Sequence, residues 1–227
     1  MNYLVVSYHA WRPDLAERLT RRTPAQFKLV SKKEELTSQF LKEYSPEFIF
    51  FVHWPYLISP DIFESYKCVI FHMTDLPFGR GGSPLQNLIA RGIYETKISA
   101  LECVRELDAG PVYLKRPLSL YGTAQEIYMR ASETIEEMII TLVKERPIPA
   151  PQEGEVVEFK RRTPKDGNLG QLRDLRQIHD YIRMLDADGY PQAFVEVGEF
   201  VYKFSRSSLK NGYIEANVRI ERRDKGQ

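Results

Sequence analysis

The sequence predicts an α/β protein: a Rossmann-like, doubly wound, mostly parallel sheet followed by a small C-terminal α+β appendage. Three observations carry this. Apolar runs recur at Leu4–Val6, Phe27–Val30, Phe48–Val52 and Cys68–Phe71, with helical or turn-forming stretches between them. The run Phe48-Ile49-Phe50-Phe51-Val52 is apolar at every position, as expected of a parallel strand covered by helices on both faces. After the stiff segment Pro147-Ile148-Pro149-Ala150-Pro151 the pattern changes to shorter strands separated by turn residues.

In chain order, Leu4-Val5-Val6 is the first strand, and Arg12-Pro13-Asp14 opens a helix to about Leu19, with proline in a tolerated first-turn position. Phe27–Val30 is the second strand. Ser31, followed three residues later by Glu34, reads as a capping box for a helix whose apolar face holds Leu36, Phe40 and Leu41. Phe48–Val52 is the third strand, Pro60 to Tyr66 a short helix, and Cys68–Phe71 the fourth strand. Ser83-Pro84 starts a helix through about Ala90. Lys97 to Val104 and Pro111 to Leu114 are further strands, joined by Arg105 to Gly110. Thr123 and Glu126 form a second capping box, and Ile127, Ala131, Ile135, Met138, Ile139 and Leu142 share one face of the helix behind it. That helix stops before Pro147, so the chain is divided into residues 1–146 and 147–227. In the appendage, Val156 to Lys160 is strand-like and Leu172, Leu175, Ile178, Ile182 and Leu185 mark an amphipathic helix. Ala193–Val197, Phe200–Phe204 and Tyr213–Ile220 are antiparallel strands turning at Gly198 and Asn211-Gly212.

The 227 residues suit one sizeable domain with a small extension. Lys and Arg number 32 against 31 Asp and Glu, a net charge of +1. This lacks the basic excess of a dedicated nucleic-acid binder, so Lys160-Arg161-Arg162 reads as a solvated strand end and nucleic acid is not an expected partner. The two cysteines, Cys68 and Cys103, lie in apolar runs with neither CxxC nor zinc spacing; they read as reduced core thiols of a cytoplasmic protein. No signal peptide or membrane span is expected, and no metal site.

The stretch Cys68 to Asn87 concentrates the candidate chemistry. A buried strand ends in His72 and Asp75 and gives way to a loop with Pro77, Gly79, Gly81, Gly82 and Pro84. Titratable groups at a strand mouth before a glycine-rich loop are where open α/β sheets place ligands. The loop is neither GxGxxG nor a P-loop, and no serine sits in a nucleophile elbow. His72 is a candidate acid or base. Asp108, in a turn between two strands, can reach the same mouth, and a histidine oriented by a carboxylate is a standard general base. His9, beside Trp11, is a further candidate for lining the site, and His179 reads as structural.

These residues resemble a known family. His72-Met73-Thr74-Asp75-Leu76-Pro77 with Arg80-Gly81 resembles the His-Pro-Ser-Leu-Leu-Pro…Arg-Gly signature of the folate-dependent formyltransferases. Leu107-Asp108-Ala109-Gly110-Pro111 resembles their Leu-Asp-Thr/Ala-Gly signature, and Lys160 to Gly167 and Gly189 to Phe194 resemble C-terminal segments of the sugar N-formyltransferases. The resemblance implies a catalytic domain over 1–146 that moves a formyl group from 10-formyltetrahydrofolate to an amine, with His72 as base and Asp108 as its partner. It further implies folate- or substrate-facing positions at Trp54, Met73, Thr74, Asp75, Gly79, Arg80, Gly81, Gly82 and Gln86. The small, near-neutral chain resembles the sugar enzymes more than the methionyl-tRNA enzyme. The implied acceptor is a nucleotide-linked 4-amino-4,6-dideoxysugar, in a pseudaminic-acid-type pathway; the alternatives are an aminoacyl-tRNA or other amine, or a folate- or sugar-binding homologue that has lost catalysis. A homodimer is implied by the family. One position departs: the family's asparagine two residues before the histidine is Ile70, which cannot donate to an oxyanion. The donor then comes from Asn87 or Gln86, from a backbone N–H or protonated His72, or activity has been lost.

Overall fold

The computed structural model describes residues 1–8 and 12–223. In chain order the elements are β1 (Asn2–Ser7), α1 (Leu15–Arg22), β2 (Gln26–Val30), α2 (Ser38–Tyr44), β3 (Phe48–Val52), α3 (Pro60–Phe63), β4 (Lys67–His72), β5 (Phe78–Gly81), α4 (Pro84–Ala90), β6 (Glu95–Glu102) and β7 (Val112–Ser119). They continue with α5 (Ala124–Glu145), β8 (Val157–Phe159), α6 (Leu175–Arg183), β9 (Ala193–Val197), β10 (Phe200–Leu209) and β11 (Ile214–Arg222). Two compact units interleave in sequence: Met1–Gly81, Thr96–Leu118 and Met129–Glu158 form one, and Gly82–Glu95, Ser119–Tyr128 and Phe159–Gln227 the other. The sequence suggests a single boundary after residue 146. The interleaving arises because the segment bearing α4 packs with α6.

The first unit is built on a six-stranded sheet in the order β2-β1-β3-β4-β6-β7. β1 pairs in parallel with β2 and β3, and β3 in parallel with β4, while β4 and β6 run antiparallel. The expected mostly parallel α/β sheet is therefore present. Every residue of β3 is buried, as its unbroken apolar run requires. Leu4, Val6, Ile49, Phe51 and Cys68 form part of one apolar cluster. Cys68 and Cys103 are both buried and unbridged, and burial pushes the Cys103 thiol up to about 12.

Local chemistry explains where the observed elements differ from expectation. The helix after β2 begins at Ser38, not at Ser31: Thr37 caps it by accepting the Phe40 N–H at 3.1 Å. The Ser31–Glu34 segment forms only a single 3-10 turn, Lys33–Glu35. Thr123 and Glu126 do form their box, with Glu126 Oε2 accepting the Thr123 N–H at 2.7 Å. β5, hidden among glycines, is an additional strand; it is held by β8, whose Val157 N–H donates to Pro77 O at 3.3 Å.

The second unit carries the antiparallel sheet β11-β10-β9 and α6. Asp174 caps α6 by accepting the Gln177 N–H at 2.9 Å, and Arg183 is buried against Asp180 at 2.6 Å. No helix among the described residues is long and apolar enough to cross a membrane.

Candidate active site

The site is assembled where β4 ends. β4 lies between β3 and β6, and its last residue, His72, is buried. Ile70 shares the face of His72 by strand alternation and packs on the apolar cluster of Leu4, Ile49 and Phe51. Past His72, Met73 and Thr74 remain buried, Leu76-Pro77 is a cis peptide, and β5 follows.

Both ring nitrogens of His72 face acceptors. Nε2 lies 2.7 Å from Gly79 O. A carbonyl only accepts, so this contact puts the proton on Nε2. Nδ1 lies 3.6 Å from Asp108 Oδ2, and the two side chains are 8% and 7% exposed. In neutral His72, Nδ1 is thus the basic nitrogen. Once it is protonated, the ring offers one N–H to a carbonyl and the other to a carboxylate. Thr74 Oγ1 donates to the same Gly79 carbonyl at 3.3 Å, tying the strand end to the loop.

Asp108 is held from three directions. Its φ is +51°, a left-handed conformation that aspartate tolerates. Oδ2 accepts the Gly81 N–H at 2.9 Å, and Gly81 presents that N–H at φ +105°, which favours glycine. At Gly110 a Cβ would fall 1.9 Å from Glu102 O, so only glycine lets the turn close against β6. Finally, Gln152 Nε2 donates to Asp108 O and to Gly110 O, both at 2.8 Å, while its Oε1 accepts from Arg80 Nε at 3.0 Å and Nη2 at 2.9 Å. Arg80 is therefore turned toward the proline-rich segment, which is itself paired to β7 through the Val112 and Ala150 backbones. Gln152 is the residue that sequence reasoning misses. The available signal is its position directly after Pro147–Pro151, a segment stiff enough to deliver one side chain to a fixed place.

Asp75 belongs to a different cluster, an ion-paired bridge with Lys97 at 2.9 Å and Lys115 at 2.6 Å. Burial pushes its carboxyl up, but hydrogen bonds from Lys115 and Lys97 outweigh this and hold it below its ordinary value. Lys115 also donates to Leu76 O, and Ser99 Oγ donates to Thr74 O at 2.8 Å. These contacts brace the 74–76 backbone.

Gly82, Gln86 and Asn87 belong to the second unit. The Asn87 amide donates to Gly82 O at 3.0 Å, Ser83 O at 3.1 Å and Lys160 O at 2.9 Å. Gln86 is buried and donates to Tyr128 Oη and Met184 O, both at 3.3 Å. Trp54 follows β3 in the first unit, half-buried, its ring 6.3 Å from that of Phe51. His179 contacts Ser207 Oγ at 2.9 Å. His9 and Trp11 lie outside the described residues. Among the described residues, no group of His, Cys, Asp and Glu is arranged to hold a metal ion. The structure thus brings together His72, Asp108, Gly79, Gly81 and Arg80, with Thr74 behind them.

Comparison with known proteins bears on the chemistry. Residues 164–221 match the family model described as the methionyl-tRNA formyltransferase C-terminal domain. The chain is 30% identical over 144 residues to methionyl-tRNA formyltransferase of Gluconobacter oxydans, covering 62% of this chain and 47% of that protein. The chain spans about half the length of the curated relatives it matches. Among solved structures, one described as methionyl-tRNA formyltransferase from Clostridium thermocellum superposes with a TM-score of 0.95 at 47% identity, covering 98% of this chain and 99% of that one. HypX from Aquifex aeolicus in complex with tetrahydrofolic acid gives 0.74 at 20% identity, over 90% of this chain and 37% of that one. A 4-N formyltransferase from Francisella tularensis gives 0.66 at 14%, over 86% and 91%. The last two likenesses are of fold alone.

Proposed function

This chain belongs to the formyltransferase family, and from that premise we propose that it moves a formyl group from 10-formyltetrahydrofolate to the free amine of an aminoacyl-tRNA, methionyl-tRNA foremost. The observation that carries the chemistry is the buried pair of His72 Nδ1 and Asp108 Oδ2 at 3.6 Å. The acceptor rests on the 47% identity, over nearly all of both chains, to a protein described as methionyl-tRNA formyltransferase.

In this reading the acceptor nitrogen attacks the formyl carbon, and a C–N bond forms as the carbonyl oxygen takes up negative charge. The intermediate collapses with cleavage of the bond to the folate N10, which leaves carrying a proton. His72 takes the proton lost by the amine on Nδ1, and Asp108 stabilises the imidazolium. The proton then passes to the departing folate nitrogen. Ile70 cannot donate to the oxyanion, and the Asn87 amide is committed to backbone carbonyls. Both N–H groups of protonated His72 face Gly79 O and Asp108, so we assign the oxyanion to backbone N–H groups. Aligning the two substrates supplies the remainder.

The nucleotide-linked amino sugar expected from the sequence is the weaker acceptor. The 4-N sugar enzyme matches at 14% identity and shares the fold, whereas identity to the methionyl-tRNA enzyme is far higher. The relatives named above do not carry the pseudaminic-acid-type pathway expected from the sequence. The expectation against nucleic acid rested on a net charge averaged over the whole chain. Charge is uneven: the second unit has 15 Lys and Arg against 12 Asp and Glu, leaving the first with 17 against 19. The test is to incubate the protein with 10-formyltetrahydrofolate and either methionyl-tRNA or a nucleotide-linked amino sugar. Formylmethionyl-tRNA is the expected product; a formylated sugar alone would replace this acceptor.

A further inference from the structure

We propose that the carboxyl ends of β1 and β3 form a base-stacking platform of Tyr8, Trp54 and Tyr56 for the terminal nucleotide of the formyl acceptor, with Lys33 beside it for phosphate. The inference rests on the acceptor reading above and gives that acceptor a subsite in the first unit.

The sheet order supplies the position. From β1 the chain winds to β2 on one side and then to β3 and β4 on the other. The topological switch point therefore lies between β1 and β3, and open α/β sheets bind ligands outside the carboxyl ends at such a point.

The side chains standing there supply the chemistry. Tyr8 directly follows β1, and Trp54 and Tyr56 follow β3. Tyr8 is 50% and Tyr56 39% exposed. The rings meet edge to face: Tyr8 and Tyr56 are 5.7 Å apart at 86°, and Trp54 and Tyr56 are 5.1 Å apart at 69°. Trp54 is anchored below on the core, and His53, at φ +49°, contacts Ser132 at 3.0 Å. The loop is thus held while part of its π surface stays in water. Lys33 Nζ lies 5.3 Å over the Tyr56 ring. Exposed aromatic faces beside a cation are what a nucleotide needs: stacking for the base and charge for the phosphate.

Register supplies the connection to the reaction. Ser7 pairs with Val52, and Phe51 with Ile70. The ends of β1 and β3 therefore lie beside one another and beside β4, the strand that ends in His72, with neighbouring strands about 5 Å apart. A nucleotide stacked on this platform carries its attached amine toward His72.

The shared chemistry is a nucleotide, present in both an aminoacyl-tRNA terminus and a nucleotide-linked sugar. Calorimetric titration of the full chain with adenosine 5′-monophosphate and, separately, thymidine 5′-diphosphate tests it, using Tyr56→Leu, Tyr56→Phe and Lys33→Ala variants whose folding is checked by thermal melting. Tyr56→Leu should weaken nucleotide binding about tenfold or more, with Tyr56→Phe keeping it. Lys33→Ala should weaken binding and flatten its salt dependence. Preference for the adenosine nucleotide supports the tRNA source, preference for the thymidine nucleotide the sugar source; both uphold the platform. No binding of either nucleotide, or equal binding by wild type and Tyr56→Leu, overturns it. In formyl transfer, Tyr56→Leu should raise the acceptor KM more than it lowers kcat. Product from wild type with an unchanged KM in the variant overturns the platform and leaves the acceptor reading intact. Absence of product from wild type, with nucleotide binding still dependent on Tyr56, overturns that reading and upholds the platform.

Discussion

Gln152 Nε2 donates to the backbone carbonyl of Asp108 at 2.8 Å, so a side chain 44 positions downstream holds the turn that carries the candidate carboxylate. The same amide reaches Gly110 O and accepts from Arg80. Gln152→Ala removes all of these at once. Stability should fall by about 1–3 kcal/mol, the cost of leaving partly buried polar groups unpaired. Formyl transfer should fall several-fold through kcat as Asp108 loosens. Urea titration and single-turnover kinetics measure the two effects; unchanged kcat would remove Gln152 from the positioning of Asp108.

His72→Ala should lower kcat by roughly 10²–10⁴, the usual range for losing a general base. Asp108→Asn keeps an oxygen for the Gly81 N–H but no charge for the imidazolium, so kcat should drop while the folate KM holds. Steady-state kinetics with formyl-transfer product as the readout decide both.

Gly81→Ala should cost about 1–3 kcal/mol, because alanine at φ +105° is strained. The N–H that Asp108 accepts is displaced in relieving that strain. Activity should therefore fall along with the melting temperature. A variant with a lowered melting temperature and full activity would separate the glycine from the carboxylate.

Acid stability should depend on Glu136. This buried carboxylate pairs with Arg18 at 2.8 Å and Arg22 at 2.7 Å. Burial pushes its carboxyl up, but hydrogen bonds from the two arginines outweigh this and leave it below 4.5, its ordinary value. The ion pair is thus fully present above about 4.5 and is lost as pH falls through the lowered folded value. The urea midpoint of wild type should drop across that window, and Glu136→Gln should be less stable at neutral pH with a shallower acid slope. Parallel pH profiles for the two proteins would remove Glu136 from the acid transition.

Much of the fold was legible because it follows from local rules. An all-apolar β3 demands cover on both faces, and Thr123 with Glu126 marks the start of α5 wherever that helix packs. His72 and Asp108 were legible as a titratable strand end and a glycine-bearing turn. The roles of Gln152 and the partners of Asn87 were not, because their acceptors are backbone carbonyls, which leave no residue pattern. β5 was hidden for the opposite reason: Phe78-Gly79-Arg80-Gly81 has the composition of a loop, and only a distant strand, β8, makes it extended. Asp75 illustrates a limit of motif reading, since its position in the signature is visible but Lys97 and Lys115, which hold it, are not adjacent in sequence.

β7 ends the six-stranded sheet and contains Pro117. Proline has no N–H to offer a neighbouring strand, and its neighbour Arg116 is exposed. A second chain approaching this margin meets the Ala150 backbone already paired to Val112 and, further along, an exposed positive charge, features that discourage strand addition. The sheet is thereby protected at this end against growing from one molecule into the next, so crowding and aggregation during synthesis should find little purchase there.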